Sequence, residues 1–298
     1  MYDPNRILVT GCSGFVGQKL ISKLIDLDLD IVGIDIKNLN LPKIEFINSK
    51  IEDLSLSKLI ELCSGAVIIH LSAVSDSKNS DANPTEAIKS NCLDILKLIN
   101  VSNITNSRII FASSEWIYPN NNLPIEQLES DRVILNSEIN LYAITKLFGE
   151  WALQSKCKKF DILRFGIVYA PRFPAVSAFE DIICKAVKNI DISIGSLMTA
   201  RRFIHVDDLV DGICKMLSQN ASNDIFNLSG PQLISLGQII KLCENLLGRR
   251  LEIHEKGISP SIRNPLPDKF IAKFNFQHKQ NLEKSVFELY SYYLNLKI

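Results

Sequence analysis

The stretch ILVTGCSGFVG, Ile7 to Gly17, sets three glycines at even spacing between an apolar run and a segment with apolar positions at helical spacing. Ile7–Thr10 reads as a strand and Phe15 onward as a helix, so Gly11, Gly14 and Gly17 occupy the turn that joins them. A turn free of side chains lets backbone amides and a helix N-terminus close on a pyrophosphate. The spacing is GxxGxxG rather than GxGxxG, and the strand–turn–helix context is what gives it weight. The next strand ends at Asp35, eighteen residues beyond Gly17. A carboxylate there accepts both hydroxyls of an adenosine ribose and repels a 2′-phosphate, which points to NAD. Lys37 keeps NADP open as the alternative.

Outward from this turn, short β-branched runs alternate with helical stretches as far as about residue 165. The pattern predicts right-handed crossovers and a parallel sheet covered on both faces. The expected fold class is α/β, a Rossmann-type doubly wound parallel sheet with a smaller C-terminal α/β substrate-binding domain. Residues 1–168 form the dinucleotide-binding domain, to which 202–228 return; residues 169–201 and 229–298 form the cap.

The 298 residues carry 33 basic and 33 acidic side chains, so the formal charge is zero. That balance argues against nucleic acid or a membrane surface as the main partner. The longest apolar candidate, Ala66–Val74, has about half the residues of a membrane span and contains His70. The N-terminal residues are polar where a signal peptide needs an apolar stretch. Seven cysteines stand singly at 12, 63, 92, 157, 184, 214 and 243, a pattern of free thiols in a reducing cytoplasm rather than of disulfides or zinc.

NLYAITK, Asn140–Lys146, places Tyr142 and Lys146 on one face of a predicted helix. An ammonium near a phenol lowers its pKa from about 10 and turns it into a proton acceptor. Spacing alone does not decide the matter, because Tyr293 and Lys297 repeat it near the C-terminus. RIIFASSEWIYP adds Ser114 at the C-terminal end of a parallel strand, where ligands bind in open α/β sheets. A proton moved at an alcohol oxygen, coupled to hydride movement at its carbon, needs such a group.

Together TGxxGxxG, the strand-end Asp35, HLSA, SSEWIYP, YxxxK, LRFGIVY and RRFIHVDDLVDGI resemble the extended short-chain dehydrogenase/reductase family, in its NAD-dependent epimerase/dehydratase branch. The resemblance runs in order from about Arg6 to about Asp211. It implies Tyr142 as acid/base, Lys146 as the residue that lowers its pKa and holds the nicotinamide ribose, and Ser114 as the hydroxyl on the reacting oxygen. Phe15 and Val16 would join the three glycines at the pyrophosphate, and Ile36 would stand with Asp35 beside the adenosine. Ile51 would offer backbone to the adenine. Leu71, Ser72 and Ala73 would line the cofactor, with Asn91 steadying the strand ends behind it. Tyr293 and Lys297 lack this context and read as a surface helix.

On the substrate side the resemblance implies a nucleotide-diphosphate sugar, with Glu115 near it and Arg201 and Arg263 on its phosphates. A metal at His205, Asp207 and Asp208 is not expected, since that segment matches a helix start. Where dehydratases carry an Asp-Glu pair after the catalytic hydroxyl, this chain has Glu115 and Trp116, which argues against a complete dehydratase. Lys50 stands where an aspartate usually contacts adenine, Ile167 where an asparagine often touches the sugar, and Arg202 where an aspartate follows the diphosphate arginine. The expectation is a cytoplasmic NAD-dependent nucleotide-sugar epimerase, with an NAD(P)H-dependent nucleotide-4-keto-sugar reductase or a non-catalytic NAD-binding protein as alternatives. A homodimer is implied through the helices that hold Asn91 and Tyr142, with Leu147 and Trp151 facing outward.

Overall fold

The computed structural model describes residues 6–38, 43–75, 77–131, 133 and 140–296. The chain begins β1 (Arg6–Thr10), α1 (Phe15–Asp26), β2 (Asp30–Asp35), β3 (Glu45–Asn48), α2 (Leu56–Cys63) and β4 (Ala66–His70). It continues with α3 (Ser77–Ala82), α4 (Pro84–Ile88), α5 (Asp94–Thr105), β5 (Arg108–Ser114), α6 (Leu141–Lys156) and β6 (Phe160–Phe165). Then come β7 (Ile167–Tyr169), α7 (Ala178–Lys188), β8 (Ile192–Ile194), β9 (Ala200–Arg201), β10 (Phe203–His205) and α8 (Val206–Leu217). The last elements are β11 (Asp224–Leu228), β12 (Ile234–Ser235), α9 (Leu236–Leu247), β13 (Ile253–Glu255), α10 (Asp268–Phe274) and α11 (Leu282–Asn295).

Seven strands form one sheet in the order β11-β6-β5-β4-β1-β2-β3. β4, β1, β2, β3 and β5 pair in parallel, with Leu8 opposite both Val32 and Ile68. β4 and β5 are buried along their whole length, as central strands of a sheet covered on both faces must be. This is the doubly wound α/β class expected from the alternation. Its core joins Leu8, Val32, Ile68, Ile109 and Phe111 to Leu98 and Ile99 of α5 and Leu153 of α6. Each such side chain contributes roughly 1.5–3 kcal/mol by leaving water. The helical stretch that opens at Pro84 is an α–π–α run ending at Thr105, with the π turn at Lys89–Leu93.

The chain divides into two compact units: 1–117, 133–164 and 210–226 form the first; 118–132, 165–209 and 227–298 form the second. Segment 118–131, and with it 165–168, 202–209 and 227–228, all expected with the dinucleotide-binding domain, are in the second unit. Non-local hydrogen bonds hold the first of these there: Asn121 exchanges two backbone bonds with Ile262, and Gln127 donates to Pro119 while accepting from Asn264. The second unit has its own core of Tyr169, Phe179, Phe203, Ile239, Leu289 and Tyr293. Tyr293 is therefore not on a surface helix: it is buried, and its hydroxyl donates to the Arg172 carbonyl. Lys297 lies outside the described residues. All seven cysteines are free thiols, five of them buried.

In the first unit, a buried ion pair sits where β5 begins. Arg108 and Asp161 meet at 2.6 Å, and Arg108 also donates to the carbonyls of Met216 and Gln219 at the end of α8. The Ser222 amide satisfies the other Asp161 oxygen. Asp161→Ala leaves a buried guanidinium without its anion and is expected to cost about 3–5 kcal/mol, read from urea unfolding.

Candidate active site

Gly11 ends β1 with φ +72°, and its amide donates to the Ile34 carbonyl at 2.9 Å, so the turn is tied to β2. A Cβ on Gly17 would strike the Gly11 carbonyl, which is why the start of α1 needs glycine there. Gly14 is the N-cap, Phe15 and Val16 open the helix, and no acidic side chain occupies its first turn. Fixed amides and an unopposed helix N-terminus suit an anion such as a pyrophosphate.

Asp35 stands beside this turn. Its two carboxylate oxygens accept from the amides of Ser13 and Lys37, each at 2.9 Å, which fixes the carboxylate and leaves lone pairs for two hydroxyls. Next to it Ile36 is exposed, whereas Ile51 is buried and has only backbone to offer. On the other side of β1, the amides of Leu71 and Ser72 donate to Thr10, and Ala73 follows. Asn91, in the π turn, accepts from the Val74 amide and donates to the Val74 carbonyl and to Thr145 of α6. One amide side chain thus ties the segment after β4 to the helix of Tyr142, and π turns of this kind recur at functional sites.

α6 opens at Asn140, whose side chain accepts from the Ala143 amide at 2.9 Å. Tyr142 and Lys146 follow on one face. The Lys146 ammonium is wholly buried, donates to the Ala112 carbonyl of β5 at 2.7 Å, and lies 5.7 Å from the Tyr142 ring centre and 5.0 Å from that of Phe111. Burial pulls its pKa down from 10.5 to about 8, and Cys92 and Glu150 oppose that fall. It is still mainly an ammonium at neutral pH. Ser114 ends β5, with its hydroxyl accepting from the Trp116 amide. Glu115 is fully buried in the 3-10 turn Glu115–Ile117.

Sequence reading did not single out the group beneath this helix. Glu150, one turn beyond Lys146, is held by Arg164 through two bonds of 3.0 and 2.8 Å and by the Ser113 hydroxyl. The available signal was the i, i+4, i+8 row of Tyr142, Lys146 and Glu150, polar residues repeating on a face that has to be buried.

Arg201 and Arg263 belong to the second unit, where the parallel bridge Ala200↔Ile262 sets them on neighbouring segments. Arg201 donates to the Ser261 carbonyl and hydroxyl, and Arg263 to the Tyr118 carbonyl at 3.1 Å. His205 accepts from the Asp207 amide at the start of α8, and Asp208 accepts from the amides of Lys279 and Gln280. In the same unit Arg202 donates to Asn264 and the Gly230 carbonyl.

The depressed pKa of Lys146 has a stability consequence. Between about pH 8 and 10.5 the unfolded chain holds a proton that the folded chain has lost, so this residue's contribution rises with pH and is lost as pH falls through about 8. Lys146→Met is expected to stabilise the fold at pH 7.5 by on the order of 2 kcal/mol. In urea unfolding, that advantage shrinks at pH 9.5.

Comparison with known proteins identifies the family. The model of the NAD dependent epimerase/dehydratase family matches residues 7–229. A putative UDP-glucose 4-epimerase of Methanocaldococcus jannaschii is 29% identical over 277 residues, covering 84% of this chain and 85% of its own. A dTDP-4-dehydro-6-deoxyglucose reductase of Escherichia coli is 26% identical, covering 84% of each. Among solved structures, the UDP-glucuronic acid 4-epimerase of Bacillus cereus, in complex with UDP-glucuronic acid and NAD, superposes with a TM-score of 0.81 at 22% identity, over 97% of this chain and 98% of that one. The glycine turn, the fixed Asp35 and the Tyr142–Lys146 helix fall inside the matched span, and the chain belongs to the NAD dependent epimerase/dehydratase family.

Proposed function

We propose that the chain is an NAD-dependent epimerase of nucleotide-diphosphate sugars. Bound NAD supplies the acceptor for a hydride taken from one sugar carbon and returned to it. Tyr142, as phenolate, takes the proton of the hydroxyl on that carbon, leaving a keto sugar, and gives the proton back when hydride returns. Lys146 favours the phenolate by its charge and holds the nicotinamide ribose. Ser114 donates to the same sugar oxygen. Gly11, Gly14, Phe15, Val16 and Gly17 hold the pyrophosphate and Asp35, beside Ile36, the adenosine ribose. Ile51 offers backbone to the adenine, Leu71, Ser72 and Ala73 line the ring system, and Asn91 steadies them. In the second unit, Glu129 accepts from the Asn227 amide and Asn227 from Tyr118, so the segment that presents Arg263 is braced. Arg201 and Arg263 carry the sugar diphosphate, with Glu115 on the sugar side.

The observation that carries this reading is the buried Lys146 ammonium, held against the Tyr142 ring at the end of a parallel strand. Its test is incubation of the purified protein with UDP-, GDP-, dTDP- and CDP-sugars without added cofactor. Product isomers are expected; turnover of 4-keto sugars only, and only with added NADH or NADPH, identifies a reductase instead. Tyr142→Phe is expected to lower turnover by roughly a thousandfold while the protein still retains NAD.

The chain is further proposed to act as a cytoplasmic homodimer. Free thiols suit a reducing compartment. Leu96 and Ile104 of α5 and Ile144 and Trp151 of α6 are exposed, Trp151 by 56%, an apolar set suited to a second copy. Trp151→Glu is expected to convert a dimer to a monomer in sedimentation at micromolar concentration.

A further inference from the structure

The 6-amino group of adenine donates hydrogen bonds, so whatever reads it must accept. In the first unit, the loop after β3 is the place to look. Asn48 donates to the carbonyls of Asp35 and Ile36, and the Ser49 amide donates to that of Asp35, so this loop abuts the end of β2. A base attached to a ribose held by Asp35 lies against it. Lys50 in that loop is a donor, and its ammonium is already engaged by Glu86 at 2.8 Å and Glu52 at 3.3 Å.

From beneath, α5 grips the same loop: Lys97 donates to the carbonyls of Ile51, Glu52 and Leu54 at 2.9, 2.9 and 2.6 Å. One turn earlier on that face stands Asp94, between Lys97 and Asn91, which binds Val74. Asp94 is only 6% exposed, and no described residue makes a hydrogen bond or ion pair with its carboxyl. Its oxygens are not sealed from water, so a donor can still reach them. Glu52 and Lys50 face it from the loop, Glu86 from α4 and Lys97 from α5; burial first, then Glu52, push its pKa up to about 7.

We infer that Asp94 is the acceptor for the 6-amino group of the adenine of NAD in this chain. The inference rests on the proposed seating of the adenosine at Asp35. It gives the otherwise idle buried carboxyl a hydrogen-bond donor, and it places adenine recognition on α5 rather than on the loop side chain Lys50.

The test is a competition. The purified protein is equilibrated with equal concentrations of NAD and its hypoxanthine analogue, in which a 6-oxo group replaces the 6-amino group. The protein is then denatured and the bound dinucleotides are counted by mass spectrometry. Wild type is expected to retain NAD over the analogue by about tenfold at pH 8, and Asp94→Ala by about onefold. Asp94→Asn keeps an acceptor oxygen but adds an amide donor that serves a 6-oxo group equally well, so it is expected to keep both dinucleotides bound with a ratio near one. Lowering the pH to 6 gives the Asp94 carboxyl a proton to offer the 6-oxo group, so the wild-type ratio falls while that of Asp94→Ala stays flat. A wild-type ratio near one, or a full preference retained by Asp94→Ala, overturns the inference. Should Asp94→Ala retain no dinucleotide, the Asp94→Asn ratio and the wild-type pH dependence decide. Wild type that binds neither dinucleotide overturns the cofactor reading at Asp35, and this inference with it.

Discussion

A buried ammonium has few stable resting places, and the position of α6 against β5 follows from finding one. Lys146 donates to the Ala112 carbonyl, and one turn further Glu150 meets Arg164 and Ser113. Two opposite charges on one helical face, each matched to a partner on the sheet, fix both the rotation and the axial position of the helix. A slide by one residue would leave both unmatched inside a low-dielectric core, at several kcal/mol each. Tyr142, on the same face of α6, takes its place from this constraint.

The opposite side of β1 obeys a different constraint, close approach of backbone to backbone. Gly17 lies against the Gly11 carbonyl, and Gly11 itself adopts a left-handed conformation against Ser72. That closeness brings the strand-end Asp35 within reach of the Ser13 amide. The turn and the carboxylate are thereby one rigid object, set before any ligand arrives, which lowers the ordering cost of binding.

What the sequence made legible follows from how local each feature is. The glycine turn, Asp35 and the Tyr142–Lys146 row are written within a few residues or one βαβ unit, where spacing and chemistry coincide. Asn91 was legible only through family resemblance, and its bonds to Val74 and Thr145 explain its role afterwards. Partners far apart in the chain were not legible. Gln127 and Asn264 bond across more than a hundred residues, and that pairing carries 118–132 into the second unit. Tyr293 looked like a surface residue because its burial is decided by Arg172, again far upstream. Asp94 carried no signal either, since an acid at the first turn of a helix is ordinary.

The burial of the free thiols bears on chemistry that has nothing to do with sugars. Peroxide and alkylating agents attack thiolates, not thiols. Desolvation raises Cys12 to about 11 and Cys63, Cys214 and Cys243 to about 12. At neutral pH each is ionised in about one molecule in ten thousand or fewer. Cys12 sits inside the glycine turn, where a sulfenic acid or a glutathione adduct would disrupt the packing of its thiol against Gly33. A chain that keeps a thiol at the heart of its turn is thus guarded against oxidants by the same dry packing that gives the turn its shape.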